Sequence, residues 1–286
     1  MNRLPKLAVF GLILCFFLIV VGCIIAFNTA AESDFVKEEL QPTAEHHSLS
    51  SKLPRHYPGL ENVVIKKGTP EQIKEYTGFT VSFNKDNHTP NYVAWELLGN
   101  EIAYDIERSN KFWQDNEIEG CPTTKDYTNS GYDRGHLCPA ADQKWSREAM
   151  TDCFVMANIC PQDHDLNAGA WNTLENKERQ WAQRDSAIMI IAGPIYDDND
   201  TKRIGNAGVR VPSAFFKAFL APYIDQPRAI AFVYPNMSSP GNMQDYAMSI
   251  DDLEEYLGYD LFSALPDDIE NLVEAKYSFT EWNRSK

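Results

Sequence analysis

Gly131-Tyr132-Asp133-Arg134-Gly135-His136-Leu137-Cys138-Pro139 is followed, further along the chain, by Asn158-Ile159-Cys160-Pro161-Gln162 and then by Asn167, Trp171, Glu175 and Arg179. Asn167 and Glu175 are eight residues apart and Glu175 and Arg179 four, so on one helix the three fall along one side. These residue types suit attack of water on a phosphodiester. Water must lose a proton as it attacks, and a histidine such as His136 is the natural base near neutral pH. Negative charge builds on the phosphoryl and leaving oxygens, where a divalent cation and arginines stabilise it. A hard cation takes oxygen ligands, which the Asn167 amide supplies directly and Glu175 through water. Arg179 then stands beside the ion, facing a phosphate. One at a time, the same residues have plainer readings. Asp-Arg-Gly-His alone is a turn with a surface ion pair, and Asn158 and Gln162 are partners for buried backbone groups. Glu175 and Arg179 are an i,i+4 pair on a solvated face, and Trp171 is core packing. Their joint occurrence, in order, favours the site.

The two stretches together resemble the DNA/RNA non-specific endonuclease family, the ββα-metal finger nucleases that include secreted bacterial enzymes and are related to mitochondrial endonuclease G. The family pattern is Asp-Arg-Gly-His and then Asn-x-x-Pro-Gln-x-x-x-x-Asn-x-x-x-Trp-x-x-x-Glu, and the chain follows it without a gap from Asn158 to Glu175. Softer matches take in Tyr92–Leu97, Arg108–Phe112, Val211–Ser213, Phe216-Lys217 and Ser249–Glu254, so the resemblance runs from about Tyr57 to Tyr277. It implies an α+β fold, a central, mainly antiparallel sheet flanked by helices, carrying a ββα-metal finger. It implies hydrolysis of DNA and RNA with little sequence or sugar specificity. Carried over by position, His136 is the general base and Asn167 the sole direct protein ligand of Mg2+, with Mn2+ or another divalent cation as the substitute. Glu175 holds the ion through water, Arg108 stabilises the transition state and Asn158 is a catalytic-site residue. Arg179 contacts phosphate, while Asp133 and Arg134 shape the loop that presents His136 at the substrate side. Two other readings stand beside this one: a phosphodiesterase restricted to nucleotides or small diesters, and an inactive binding module on the same fold. Neither an inhibitor protein nor an oligomeric state follows from the sequence.

Outward from the motifs, Gly78–Phe83, Tyr92–Leu98, Cys153–Ile159, Ala187–Ala192, Ala214–Leu220 and Ala229–Tyr234 are rich in β-branched and aromatic residues and read as strands. Helices are predicted over about Ala168–Arg184 and from Ser249, where Ser249 and Asp252 have capping spacing ahead of Leu253 and Leu257. Strands separated by irregular stretches, with few helices, argue for α+β. No repeat or low-complexity tract interrupts them.

The chain has 286 residues, 43% of them hydrophobic, and a formal charge of −15. That is enough for one domain with a full core, and it argues against a general nucleic-acid coat protein, which needs a broad basic footprint. Arg3 and Lys6 precede Leu7–Phe27, a run of 21 residues without a charge, and Glu32 and Asp34 follow. As a helix the run is roughly 31 Å long, matching a bilayer's hydrocarbon. The expected organisation is therefore a signal anchor or signal sequence over 1–31, a polar tether over 32–56 and the nuclease-like domain over 57–286. An uncleaved anchor, cleavage after Thr29-Ala30-Ala31 and a lipoprotein box at Val20–Cys23 are the three forms this segment takes. In each the membrane is a partner through the apolar run, and the basic flank puts the domain outside the cytoplasm. Outside that run lie Cys121, Cys138, Cys153 and Cys160. An even count in an exported domain predicts two disulfides. A strand over Cys153–Ile159 keeps Cys153 and Cys160 apart, which leaves 121–153 with 138–160, or 121–160 with 138–153. Zinc is the weaker alternative, because no pair has Cys-x-x-Cys spacing.

Overall fold

The computed structural model describes residues 58–239 and 241–284, all within a compact unit that spans Ser48–Lys286. In chain order the strands are β1 (Gln72–Tyr76), β2 (Phe79–Asn84), β3 (Thr89–Leu98), β4 (Asp133–His136), β5 (Ile159–Gln162), β6 (Ala187–Ile195), β7 (Arg203–Ile204), β8 (Val209–Arg210), β9 (Ala214–Ala221), β10 (Arg228–Pro235) and β11 (Ala247–Met248). The α-helices are α1 (Arg147–Asp152), α2 (Asn172–Asp185), α3 (Ile250–Leu257), α4 (Asp267–Glu274) and α5 (Phe279–Asn283). One seven-stranded sheet, ordered β1-β2-β3-β6-β9-β10-β11, is antiparallel throughout, and β4-β5 and β7-β8 form two small ribbons. This is the expected α+β architecture.

Both faces of the central strands are buried, which is why β6 reads as an unbroken apolar run rather than an alternating one. Alternate residues nevertheless go to different cores. Val93, Trp95, Leu97, Ile188, Ile190, Phe215 and Phe219 face one cluster, which also contains Trp171, Leu174 and Trp181 and the residues around β4 and β5. Tyr92, Ala94, Met189, Ile191, Phe216, Ala218 and Leu220 face the other, closed by Ile250 and Leu253 of α3 and Ile269 and Val273 of α4. Ser249 caps α3 by accepting from Asp252 N at 3.1 Å, as its spacing predicts, and Gly258, at φ 68°, ends it in the left-handed conformation.

Lys217 sits on β9 in the Phe215 and Phe219 phase, fully buried, 2.9 Å from Glu178 Oε2 of α2 and over the Trp171 and Trp95 rings at 4.7 and 5.3 Å. The pair ties the helix that carries Glu175 to the middle of the sheet.

Two expectations fail. Cys153–Ile159 is not a strand: Cys153 closes α1, Met156–Asn158 is a 3-10 turn, and extended pairing begins only at Ile159. The two disulfides do not form, because Cys121, Cys138, Cys153 and Cys160 are free thiols buried in the first apolar cluster. Each is packed on its own neighbour: Cys153 donates to Met150 O at 3.2 Å, and Cys138 Sγ accepts from Gln143 Nε2 at 3.2 Å. Burial pushes the Cys121 thiol up to about 11 and that of Cys153 to about 12, away from the reactive thiolate.

Lys217→Ala leaves Glu178 without its partner in the core and should cost about 3–5 kcal/mol in urea unfolding. The double change Lys217→Met with Glu178→Leu should cost far less. Equal losses from the two variants would show that packing volume, not charge pairing, is what the site contributes.

Candidate active site

The site begins with the pairing of the two motif strands. β4 and β5 run antiparallel with Asp133 opposite Gln162, Gly135 opposite Cys160 and His136 opposite Ile159. Glycine is required at 135, since a Cβ there would stand 2.3 Å from Gln162 Oε1 and 2.5 Å from Gln162 Cβ. Beyond the ladder, Leu137 N donates to Asn158 O at 3.0 Å, and the Asn158 side chain takes over. Its Oδ1 accepts from Cys138 N at 2.9 Å, and its Nδ2 donates to Cys138 O at 2.9 Å and Cys153 O at 2.8 Å. Asn158 is fully buried, and these bonds lock the exit of β4 against the end of α1. It holds His136 in place without reaching the cavity.

A cavity of about 360 Å3 is lined by Arg108, Asp133, Arg134, His136, Asn167 and Glu175, together with Phe112, Pro139, Ala140, Ala168 and Asn172. The predicted residues that it brings together come from a loop, β4, a π-helical turn over Leu166–Trp171 and the first turn of α2. The π turn and α2 realise the helix predicted over 168–184, with its start earlier and wider wound. Trp171 is fully buried and is core, as the plainer reading has it.

His136 stands between two rings, with Phe112 at 5.3 Å and Phe154 at 4.9 Å between centroids. Its Nε2 is buried without a hydrogen-bond partner. Burial first, and then the charges of Arg108 and Arg134, hold the imidazole down to about 3. Those arginines use the same rings as platforms, Arg108 over Phe154 at 5.1 Å and Arg134 over Phe112 at 4.5 Å. Phe154 has no place in the sequence motif and was not legible from it.

Asp133 orients the neighbouring amide. Its Oδ2 accepts from Asn167 Nδ2 at 2.9 Å and lies 2.8 Å from His164 Nδ1. With the amide nitrogen committed, the Asn167 oxygen is the end left as a ligand. Burial pushes the Glu175 carboxyl up to about 7 against the pull of Lys217, Arg179 and Arg108. An amide oxygen and a desolvated carboxylate beside them, with no sulfur donor in the lining, fit a hard divalent cation.

Arg179 is absent from the lining. It is tied by Nη1 to Asp142 Oδ1 at 2.9 Å and by Nη2 to Asn176 Oδ1 at 2.9 Å. Asp142 is buried and also accepts from Trp95 Nε1 at 3.1 Å, so Arg179 is anchored to the sheet beneath Glu175. Asp142 was missed by sequence reasoning, and nothing local to it gives a signal.

A family model described as DNA/RNA non-specific endonuclease matches residues 60–268. "Nuclease EXOG, mitochondrial" of Danio rerio is 33% identical over 226 residues, covering 72% of this chain and 66% of that protein. "Mitochondrial nuclease" of Saccharomyces cerevisiae is 32% identical over 229 residues, covering 71% and 70%. The chain is also similar to a solved structure titled "Crystal structure of the EndoG/EndoGI complex: Mechanism of EndoG inhibition", with a TM-score of 0.64, 25% identity and coverage of 69% and 88%. These findings correct the expectation of an extracytoplasmic, membrane-anchored location, because both of these relatives are named as mitochondrial nucleases. Among the described residues no helix is long and apolar enough to cross a membrane, and the run Leu7–Phe27 lies outside them. The match over residues 60–268 takes in both motif strands and every residue of the cavity, and the chain belongs to the DNA/RNA non-specific endonuclease family.

Proposed function

We propose that the chain is a divalent-metal-dependent endonuclease that hydrolyses phosphodiester bonds of DNA and RNA, with His136 as its base. The observation that carries this reading is the convergence of Arg108, Asp133, Arg134, His136, Asn167 and Glu175 on one cavity. Asn167 and Glu175 would hold the cation, magnesium or manganese by the hardness of their oxygens. Bound there, such an ion supplies charge neutralisation at the phosphoryl and leaving oxygens.

The protein's own groups do the rest. His136 takes the proton of the attacking water at a ring nitrogen. The apolar walls and the two arginines keep it neutral, and therefore able to accept, far below neutral pH. A diester entering between Arg108 and Arg134 brings negative charge to both, which removes part of their downward push and strengthens the base once substrate is seated. Arg108, exposed and steadied on Phe154, meets the charge that grows on the phosphoryl oxygens in the transition state. Asp133 holds the Asn167 amide in the orientation that offers its oxygen. Arg179, bonded to Asp142, braces the helix behind Glu175 and adds positive charge there.

Circular plasmid and RNA should both be cut, and EDTA should stop both reactions. His136→Ala should lower kcat by about 10²–10⁴-fold with KM little changed. Asn167→Ala should lose rate at low magnesium and recover part of it at high magnesium. If His136→Ala keeps most of its rate on both substrates, another group is the base. Cleavage of small diesters alone would replace the endonuclease reading by a phosphodiesterase.

Asn158→Ala leaves the backbone groups of Cys138 and Cys153 without partners and should cost about 3 kcal/mol in denaturant unfolding, losing activity through stability. An inactive Asn158→Ala protein of undiminished stability would instead give this side chain a part in the chemistry.

The histidines separate in an NMR titration of the cation-free protein. His136, held down to about 3, should show no inflection near pH 6.5, whereas His164 should titrate above the ordinary value because its ring meets the Asp133 carboxylate. The unfolded chain protonates His136 near 6.5, so between about 6.5 and 3 the folded state binds fewer protons and stability falls as pH drops through that window. An inflection of His136 at or above 6.5 would contradict a half-buried imidazole held neutral.

A further inference from the structure

Across the sheet from the cavity, α3 and α4 pack on the second apolar cluster through Ile250, Leu253, Ile269 and Val273. There Asp251 and Glu254 of α3 and Glu274, the last residue of α4, bring one carboxylate oxygen each to within 4.8 Å of one another. Glu274 is only 4% exposed, and its Oε1 has no hydrogen-bond partner. Glu254 spends Oε1 on Leu261 N and keeps the other oxygen for a ligand. The charged groups that act most strongly on Glu274 are Glu254, Glu270, Asp251 and Asp260, every one an acid.

A buried carboxylate among other carboxylates is unfavourable unless a cation or a proton compensates it. The spacing suits a cation. Oxygens that share one calcium ion at about 2.4 Å stand at most about 4.8 Å apart, and calcium accepts irregular sets of carboxylates and waters. Asp251 is exposed, so water has access to the rest of the coordination shell. Magnesium demands a near-octahedral shell and keeps most of its water, which suits three clustered carboxylates less well.

We propose that Asp251, Glu254 and Glu274 form a second divalent-cation site, one that takes Ca2+ and staples α3 to α4, separate from the catalytic cavity. Glu274 supplies the buried oxygen, Glu254 the central one, and Asp251 closes the site on the solvent side. The role is structural: the ion bridges two helices whose apolar faces share a core and whose facing polar groups are like charges.

The test uses the full chain carrying Asn167→Ala, which weakens cation binding in the cavity, titrated with CaCl2 by calorimetry and by thermal unfolding. One Ca2+ should bind and Tm should rise. Adding Glu274→Gln, or the exposed and conservative Asp251→Asn, should weaken Ca2+ binding by about 10-fold or more and remove the rise in Tm. MgCl2 should give a smaller rise. Absence of Ca2+ binding in the Asn167→Ala protein, or binding that survives both added substitutions, would overturn the proposal. If the Glu274→Gln protein does not fold, Asp251→Asn decides alone. Because the readouts are binding and stability in a protein already altered in the cavity, the outcome is independent of nuclease activity.

Discussion

The site depends on one small piece of pairing, the ladder of β4 on β5 and the buried amide of Asn158 that extends it. Four residue pairs align Asp133–His136 against Ile159–Gln162, and Asn158 then bonds the backbone of Cys138 and Cys153 where the ladder stops. Hydrogen bonds in so dry a place contribute little over water when they are made but are expensive to lose. The register is therefore rigid, and a slip by one residue would turn His136 away from the cavity and Gly135, with no side chain, toward it. The Gly135 position adds a second lock, because the Gln162 side chain occupies the space a Cβ would need. Asp133, on the same strand, fixes the Asn167 amide, so His136 and Asn167 are positioned by one element.

Much of this was legible in the sequence because the residues are both chemically distinctive and locally spaced. The eight-residue interval from Asn167 to Glu175 places both on the cavity, even though the chain passes through a π turn between them. The strands expected over 78–83, 92–98, 187–192, 214–220 and 229–234 were legible from their β-branched and aromatic content and fall within one or a few residues of the observed ones, and Ser249 was legible from its capping spacing. What was not legible follows a physical pattern too. Cys153–Ile159 is apolar because it is buried, and a short apolar run does not say whether it is strand or turn. The disulfides followed from an even count and an assumed oxidising location, and neither is a statement about where thiols point. Arg179 turns to Asp142, a partner 37 positions away, and Phe154 meets His136 only because of the β4–β5 register. Such contacts are products of tertiary structure, and the local sequence carries no trace of them.

The ionisable groups fall into two kinds of environment. Beneath the cavity, acids and bases are matched: Glu178 with Lys217, Asp142 with Arg179, and Glu175 under the pull of Lys217, Arg179 and Arg108. Around Glu274 they are not, and Glu254, Glu270, Asp251 and Asp260 all act on it with the same sign. The first arrangement keeps a helix in register on the sheet while leaving Glu175 short of full compensation, the condition under which a carboxylate gains most from a cation. In the second, burial and those like charges push the Glu274 carboxyl up to about 9, so it keeps its proton at neutral pH unless a cation takes the proton's place.

A formal charge of −15 looks unsuited to a polyanionic substrate, but the sum is the wrong quantity. At about 0.1 M salt, charges further apart than roughly 10 Å are largely screened, so a phosphate in the cavity responds to its own surroundings. Those are Arg108 and Arg134, both exposed and both steadied on aromatic rings, with Lys217 and Arg179 behind Glu175. After burial, the same two arginines are what hold the His136 imidazole down. Their effect on the imidazole and their attraction for phosphate are one interaction seen from two sides: whatever anion they bind, they must by that act release part of their hold on the base. On the reading proposed above, seating a phosphate between these arginines and raising the basicity of His136 are linked through charge, without any movement of the backbone.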